Sequence, residues 1–250
     1  METTEGGVHA RERTAREHLQ RCFVLHRRDY GNTSLIVELF CATHGRLPVL
    51  AKGAKRGRLA PAAMLQPFRP LWVSWTGRGE VHTMTSSEPA GRALALAGKT
   101  LFCGFYLNEL LLRLLERGDP HENLFAFYYA ALARLAEDED LETVLRQFEL
   151  RLLDEIGYAP VLDREDGSGE LVRPDLQYAC GAGFGPRRIE SGERGTGISG
   201  EILLGLAHGE RFSGIAAREA RQFMRSLLAP HLGSRPLKSR ELFRRWRPHA

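Results

Sequence analysis

The apolar residues of this chain change period near residue 88, and that switch limits the fold more than any other feature. Before it, short apolar runs at residues 22–25, 35–41, 47–51, 71–75 and 81–84 are separated by turn chemistry. The separators are Asp29-Tyr30-Gly31-Asn32, His44-Gly45 and Gly77-Arg78-Gly79. Runs of this length bounded by such residues predict strands. Five strands in a stretch this short suit a small closed barrel, and an OB-fold is the commonest such barrel with a polyanion site. An SH3-like barrel would give much the same strand count, so the strands alone prefer OB only modestly.

After residue 88 the apolar spacing is helical. Leu101, Phe105, Asn108, Leu112 and Leu115 recur at that spacing in a segment apolar nearly all round, which predicts a central helix. Asp119 reads as the N-cap of the next helix, with Pro120 in its first turn and Glu122 at the capping-box position. Asp140 reads as the cap of a third, and Gly157 as its stop. Further helices are expected over 199–208, 213–231 and, shorter, 239–246. The glycine-rich stretch 158–198 alternates poorly and predicts loops or a small β insert. The expected architecture is α+β in two domains. Residues 1–19 form a flexible extension, 20–87 an OB-fold barrel that binds nucleic acid, and 88–250 an α-helical domain carrying the insert.

Charge distribution says more than the net charge of +4. From residue 41 to 79 there is no Asp or Glu, while Arg46, Lys52, Lys55, Arg56, Arg58, Arg69 and Arg78 all fall there. From Arg218 to the end, nine Lys and Arg face only Glu219 and Glu241. Basic ends around a more acidic centre fit a polyanion partner. Within Ala51-Lys52-Gly53-Ala54-Lys55-Arg56-Gly57-Arg58, two glycines loosen the backbone so that four cations can follow an irregular phosphate chain. Tyr30, Phe68, Trp72 and Trp75 are near enough in sequence to stack on bases. Trp72 and Trp75 have opposite pleat parity, so one of the two is expected to face outward.

Several classes are excluded or disfavoured. No run approaches the roughly 18 apolar residues of a membrane span, and the polar N-terminus lacks a secretion signal. Cys22, Cys41, Cys103 and Cys180 lie far apart, which predicts free thiols in a reducing cytoplasm. Gly98-Lys99-Thr100 resembles the end of a P-loop, but Ala93 stands where the first Gly belongs. A metal-dependent nuclease needs clustered carboxylates near the phosphate path, and the barrel has none between Glu38 and Glu80. The reading is of a protein with no catalytic residues and no cofactor.

The chain resembles the RecO family. The likeness runs through Phe23-Val24-Leu25-His26-Arg27, Thr33-Ser34-Leu35, Gly45-Arg46, Ala51-Lys52-Gly53-Ala54, Leu65-Gln66-Pro67-Phe68 and Gly77-Arg78-Gly79-Glu80. It continues through Tyr106-Leu107-Asn108-Glu109-Leu110, Leu145-Arg146-Gln147-Phe148-Glu149 and the segment 232–240. That resemblance implies recombinational DNA repair: binding single-stranded DNA, annealing complementary strands, engaging the acidic C-terminal tail of the single-stranded-DNA-binding protein SSB, and working with RecR to load RecA. It implies a bacterial, nucleoid-associated cytoplasmic location. Some members carry a four-cysteine zinc module after the third helix. Here that region holds only Cys180, so no zinc is expected and the zinc-less, proteobacterial type is the nearer match.

The candidate DNA contacts are Arg27, Arg46, Lys52, Lys55, Arg56, Arg58, Arg69, Arg78, Arg218, Arg221, Arg225, Lys238 and Arg240. The candidate SSB-tail contacts are Arg146, with Arg113 and Arg117 adding charge; for Arg146 a helical pair with Glu149 is the competing role. Two alternatives stay open, an OB-fold adaptor that chiefly binds protein tails and an RNA-binding OB protein.

Overall fold

The computed structural model describes residues 19–56, 61–137, 139–190 and 197–245. Nearly all of the expected N-terminal extension, Arg58 in the basic loop and the end of the last expected helix at Trp246 lie outside the described residues. The chain divides into two compact units, one running to Ala95 and taking in Leu115–Phe125, the other comprising Leu96–Leu114 and the chain from Ala126 onward.

The first unit is a closed five-stranded barrel. Its strands are β1 (Gln20–Tyr30), β2 (Ser34–Cys41), β3 (Gly45–Ala51), β4 (Leu71–Thr76) and β5 (His82–Pro89), in the order β1-β2-β3-β5-β4. β4 returns to β1, and every pairing is antiparallel except β3 with β5, where Val49 lies beside His82. This Greek-key closure through one parallel pair is that of the OB-fold. Inward residues alternate as the pleat requires: Cys22 and Val24, Leu35, Val37 and Leu39, Leu47 and Val49, Leu71 and Val73 fill the barrel.

The outer face of one end is buried as well. Phe23 and Phe40 pack on Phe125, with ring centroids 5.6 and 5.5 Å apart. The segment before Phe125 crosses the β2–β3 turn, where the Gly118 N–H donates to the Arg46 carbonyl at 2.9 Å. Gly45 is required there: its φ is +58°, and a Cβ would stand 1.7 Å from the Asp119 carbonyl oxygen. This contact also corrects the expected N-cap. With residues 117–119 held against β3, helix α2 begins at Glu122, and the Phe125 N–H donates to the His121 carbonyl.

Cys22 and Cys41 are directly opposed in the β1–β2 register and are joined in a disulfide, with Cα atoms 4.2 Å apart. The expectation of four free thiols fails for these two, because antiparallel register brings together what the sequence separates by 19 positions. Cys103 and Cys180 are free.

The second unit is built on α1 (Gly98–Leu114), which buries residues on nearly every side, including Cys103, Tyr106, Leu107, Leu110 and Leu111. Its one fully interior amide, Asn108, accepts from the Tyr128 hydroxyl at 2.6 Å. Around it lie α2 (Glu122–Ala136, the part from Ala126 onward), α3 (Leu141–Glu155), α4 (Gly200–His208), α5 (Gly214–Leu232) and α6 (Lys238–Arg245). Asp140 caps α3 as expected, accepting from the Glu142 N–H at 3.2 Å and the Thr143 hydroxyl at 2.6 Å. The insert is a small sheet ordered β7-β6-β8, from β6 (Gln177–Gly181), β7 (Phe184–Arg188) and β8 (Ile198–Ser199). Among the described residues no helix is long and apolar enough to cross a membrane.

Candidate nucleic-acid interface and anion pocket

On the barrel, a β-bulge decides which cations face solvent. Val24 pairs with Leu39 and His26 with Glu38, so Leu25 is an extra residue that reverses the parity of everything after it. Arg27 is thereby opposite inward-facing Val37, and Arg28 opposite outward-facing Ile36. The Arg27 guanidinium turns into the barrel end and donates to the Ala62 and Leu65 carbonyls at 2.7 and 3.3 Å. It pins the loop that plugs the barrel. Arg28, which strand alternation read from Cys22 would have placed inside, is exposed.

The basic loop is fastened to the β1–β2 tip rather than loose. The Gly53 N–H donates to the Ser34 hydroxyl at 3.2 Å and the Lys55 N–H to the Thr33 carbonyl at 2.9 Å. Lys55 Nζ lies 2.6 Å from the Asp29 carboxylate, an ion pair that partly neutralises it. Lys52 and Arg56 are exposed beside it. Ile36 and Leu50 are cross-strand partners on the outer face and only half buried, and Tyr30 is 54% exposed at the tip. Arg28, Lys52, Arg56, Tyr30 and this apolar strip therefore share one end of the β1-β2-β3 outer surface. Such a mixture suits phosphates and unstacked bases.

The other candidates on the barrel separate from this group. Arg46 is largely buried 3.6 Å from Glu38, which Arg117 also grips through hydrogen bonds of 3.1 and 3.0 Å. Burial pushes the Arg46 guanidinium below its usual range, opposed by Glu38 and reinforced by Arg117. Arg46 and Arg117 thus form a triad with Glu38 that fastens residues 115–119 to the barrel; Arg46 is largely buried in it, and Arg117 is paired though 52% exposed. Arg69 is half buried, and Arg78 is exposed in the β4–β5 loop. Of the rings, Phe68 is core, Trp75 packs on the core and on His44, and Trp72 is the outward one at 38% exposure.

In the helical unit, α1, α3, α5, the link into α6 and the start of α6 line an open pocket of about 470 Å³. Phe102, Leu141, Leu145, Pro236 and Leu237 make its apolar wall, and Arg146, Arg221, Arg225 and Arg240 its cationic one. Arg146 is buried, with Nη2 2.7 Å from Glu149, whose same oxygen accepts from the Tyr106 hydroxyl at 2.6 Å. Burial raises Glu149 above the usual carboxylate range, against the lowering pull of Arg146 and Tyr106. Arg146 Nε and Nη1 are buried with no hydrogen-bond partner among the described residues. Burial, then the charges of Arg240, Arg221 and Arg146, lower Arg225 from its ordinary value. Clustered guanidiniums that depress one another favour an anion between them.

The sequence grouped these arginines differently. Of the three tail candidates only Arg146 lines the cavity. Arg113 lies behind its wall, donating to the Leu232, Arg235 and Pro236 carbonyls, and Arg117 belongs to the barrel triad. Arg221, Arg225 and Arg240 come instead from the residues read as a DNA track, while Arg218 and Lys238 stay exposed outside the cavity. In the insert, burial pushes the Cys180 thiol up to about 12. No group of three or more His, Cys, Asp or Glu side chains among the described residues could hold a metal ion.

Comparison with known proteins places the chain among relatives of one kind. Residues 16–92 match the family model described as Recombination protein O N terminal, and residues 96–241 that described as Recombination protein O C terminal. A protein named DNA repair protein RecO from Methylococcus capsulatus is 50% identical over 227 residues, covering 90% of this chain and 93% of that one. Proteins of the same name from Nitrosospira multiformis and Alkalilimnicola ehrlichii are 43% and 45% identical, covering 92% and 90% of this chain and 96% and 90% of their own lengths.

Proposed function

The chain belongs to the RecO family of DNA repair proteins, and on that premise we propose that it grips single-stranded DNA with its barrel and anneals complementary strands. We further assign its arginine pocket to the acidic C-terminal tail of SSB, and RecR as the partner with which it helps load RecA. The observation that carries the DNA reading is the cluster of exposed Arg28, Lys52 and Arg56 beside Tyr30 and the Ile36–Leu50 strip, on an OB-fold barrel. Cations on the outer face of such a barrel neutralise phosphates without reading sequence, which annealing of arbitrary strands requires.

The pocket suits a peptide ending in acidic residues, an apolar side chain and a free carboxylate. An arginine fork takes the carboxylate and an aliphatic wall takes the side chain. No bond is made or broken in such work, so the protein is not an enzyme; it acts in the bacterial cytoplasm, at the nucleoid. That location rests on the family role and no longer on cysteine usage, since two of the four thiols are paired.

The test is annealing of complementary labelled oligonucleotides across a salt series. Acceleration that fades as salt rises is expected, alongside a single-strand binding constant whose log–log salt slope is roughly −0.7 per phosphate contact. Replacing Arg28, Lys52 and Arg56 together by alanine should abolish most of it. Acceleration unaltered by salt and by that triple replacement overturns the barrel reading and leaves the adaptor. A matched RNA oligonucleotide competing as well as DNA favours the RNA-binding alternative.

A further inference from the structure

We propose that Glu142 is an internal stand-in for a ligand carboxylate, holding the Arg221 fork until an incoming anion displaces it and so setting which ligands the pocket accepts. The inference rests on the reading of this pocket as a peptide-tail site. Glu142 sits in the first turn of α3, and its two oxygens lie 3.2 and 2.6 Å from Arg221 Nε and Nη2 on α5. That is the two-pronged geometry in which arginine binds a free carboxylate. The oxygen facing Nε also lies 3.7 Å from Arg146 Nη1, too far to satisfy it.

The pocket's other carboxylate cannot play this part. Glu149 is 1% exposed and held by both Arg146 and Tyr106, so moving it would leave buried charge unpaired. Glu142 has a side chain 34% exposed, at the mouth, and can leave for water at little cost. Arg225 and Arg240 have no carboxylate within ion-pair distance among the described residues; Arg240 rests instead over the Tyr106 ring, 5.7 Å from its centre. A ligand carboxylate that replaces Glu142 keeps the count of ion pairs at Arg221 unchanged, so charge alone contributes little. Beyond the pairs that any acidic segment can make at Arg225 and Arg240, discrimination must come from what else the ligand brings, an apolar side chain against Phe102, Leu141, Leu145 and Leu237. An acidic segment without that side chain is therefore rejected by competition with the chain's own carboxylate.

The experiment uses the full chain and two fluorescein-labelled peptides with free C-termini. One carries three aspartates followed by leucine and phenylalanine; its twin ends in two glycines. Glu142→Gln should tighten the apolar peptide about fivefold by freeing the Arg221 fork. It should also make binding of the glycine twin measurable where wild type shows none. Glu219→Gln, which removes the same charge from exposed α5 surface, should change neither. An equal gain in Glu219→Gln overturns the proposal in favour of bulk charge. Wild-type binding with unchanged or weaker affinity in Glu142→Gln overturns it in favour of a merely structural pair. No peptide binding to wild type or Glu142→Gln, with oligonucleotide binding intact, overturns the tail-site reading itself and the gate with it.

Discussion

Arg27 and Arg28 are adjacent and do opposite work. The extra residue at Leu25 turns Arg27 inward, where its guanidinium holds two loop carbonyls, and Arg28 outward beside Ile36. Arg27→Ala leaves those carbonyls without their donor and should lower stability by about 1–3 kcal/mol, with oligonucleotide affinity of the folded protein little changed. Arg28→Ala should do the reverse. Denaturant midpoints would be unaltered, while affinity falls and the salt slope loses roughly 0.7. Paired urea melts and fluorescence-anisotropy titrations separate the two; an Arg28→Ala variant with wild-type salt dependence would remove this face from the DNA path.

At the scale of elements, the pocket depends on how the α5–α6 link is held. Glu109 of α1 accepts from the Lys238 and Ser239 N–H groups at 3.0 and 2.8 Å and from the Ser239 hydroxyl at 2.7 Å, capping α6 from another helix. Arg113, one turn on, pairs with Glu109 and donates to the link's carbonyls. Burial alone would raise Glu109, but the Ser239 and Lys238 donors and then Arg113 outweigh it and hold the carboxyl below its ordinary range. A depressed folded pKa gives stability that is complete above the unfolded value and lost as pH falls through the folded one. The link should therefore stay docked at neutral pH and loosen only in acid. Glu109→Ala should loosen it at any pH, raising hydrogen exchange over 236–242 and weakening peptide binding without touching oligonucleotide affinity. Equal exchange in variant and wild type would show that packing of Leu237 alone holds the link. Little of this was legible in the sequence. Strands, helices and the Asp140 cap follow from local period and capping chemistry. The bulge does not, because Leu25 is as apolar as Val24 and nothing marks it as extra. The Asp119 cap was misplaced because a tertiary contact at Gly45 claims that backbone. The pocket arginines come from α3, α5 and α6, and only folding shows that Arg221 and Arg240 stand with Arg146 around one pocket.

For the whole molecule, the proposed function assigns the two units different ligands on one chain, and that linkage has a measurable consequence. On that proposal the barrel would grip naked DNA by its backbone, whereas strands coated with SSB would present tails to the pocket and hide phosphates. Capture of a tail by one unit would then raise the effective concentration of the other at the coated strand, into the millimolar range where the chain between them spans both sites. Annealing of coated strands should thus need both units, and annealing of naked strands only the barrel. Arg221→Gln combined with Arg225→Gln should leave naked annealing within about twofold of wild type while removing most acceleration on coated strands. The Arg28, Lys52 and Arg56 triple replacement should lose both. If the helical double variant loses naked annealing as steeply, Arg221 and Arg225 touch DNA after all and the basic α5 face extends the track from the barrel. If it loses neither, tail capture does not depend on the pocket's fork, and the exposed cations at Arg218 and Lys238 become the place to look.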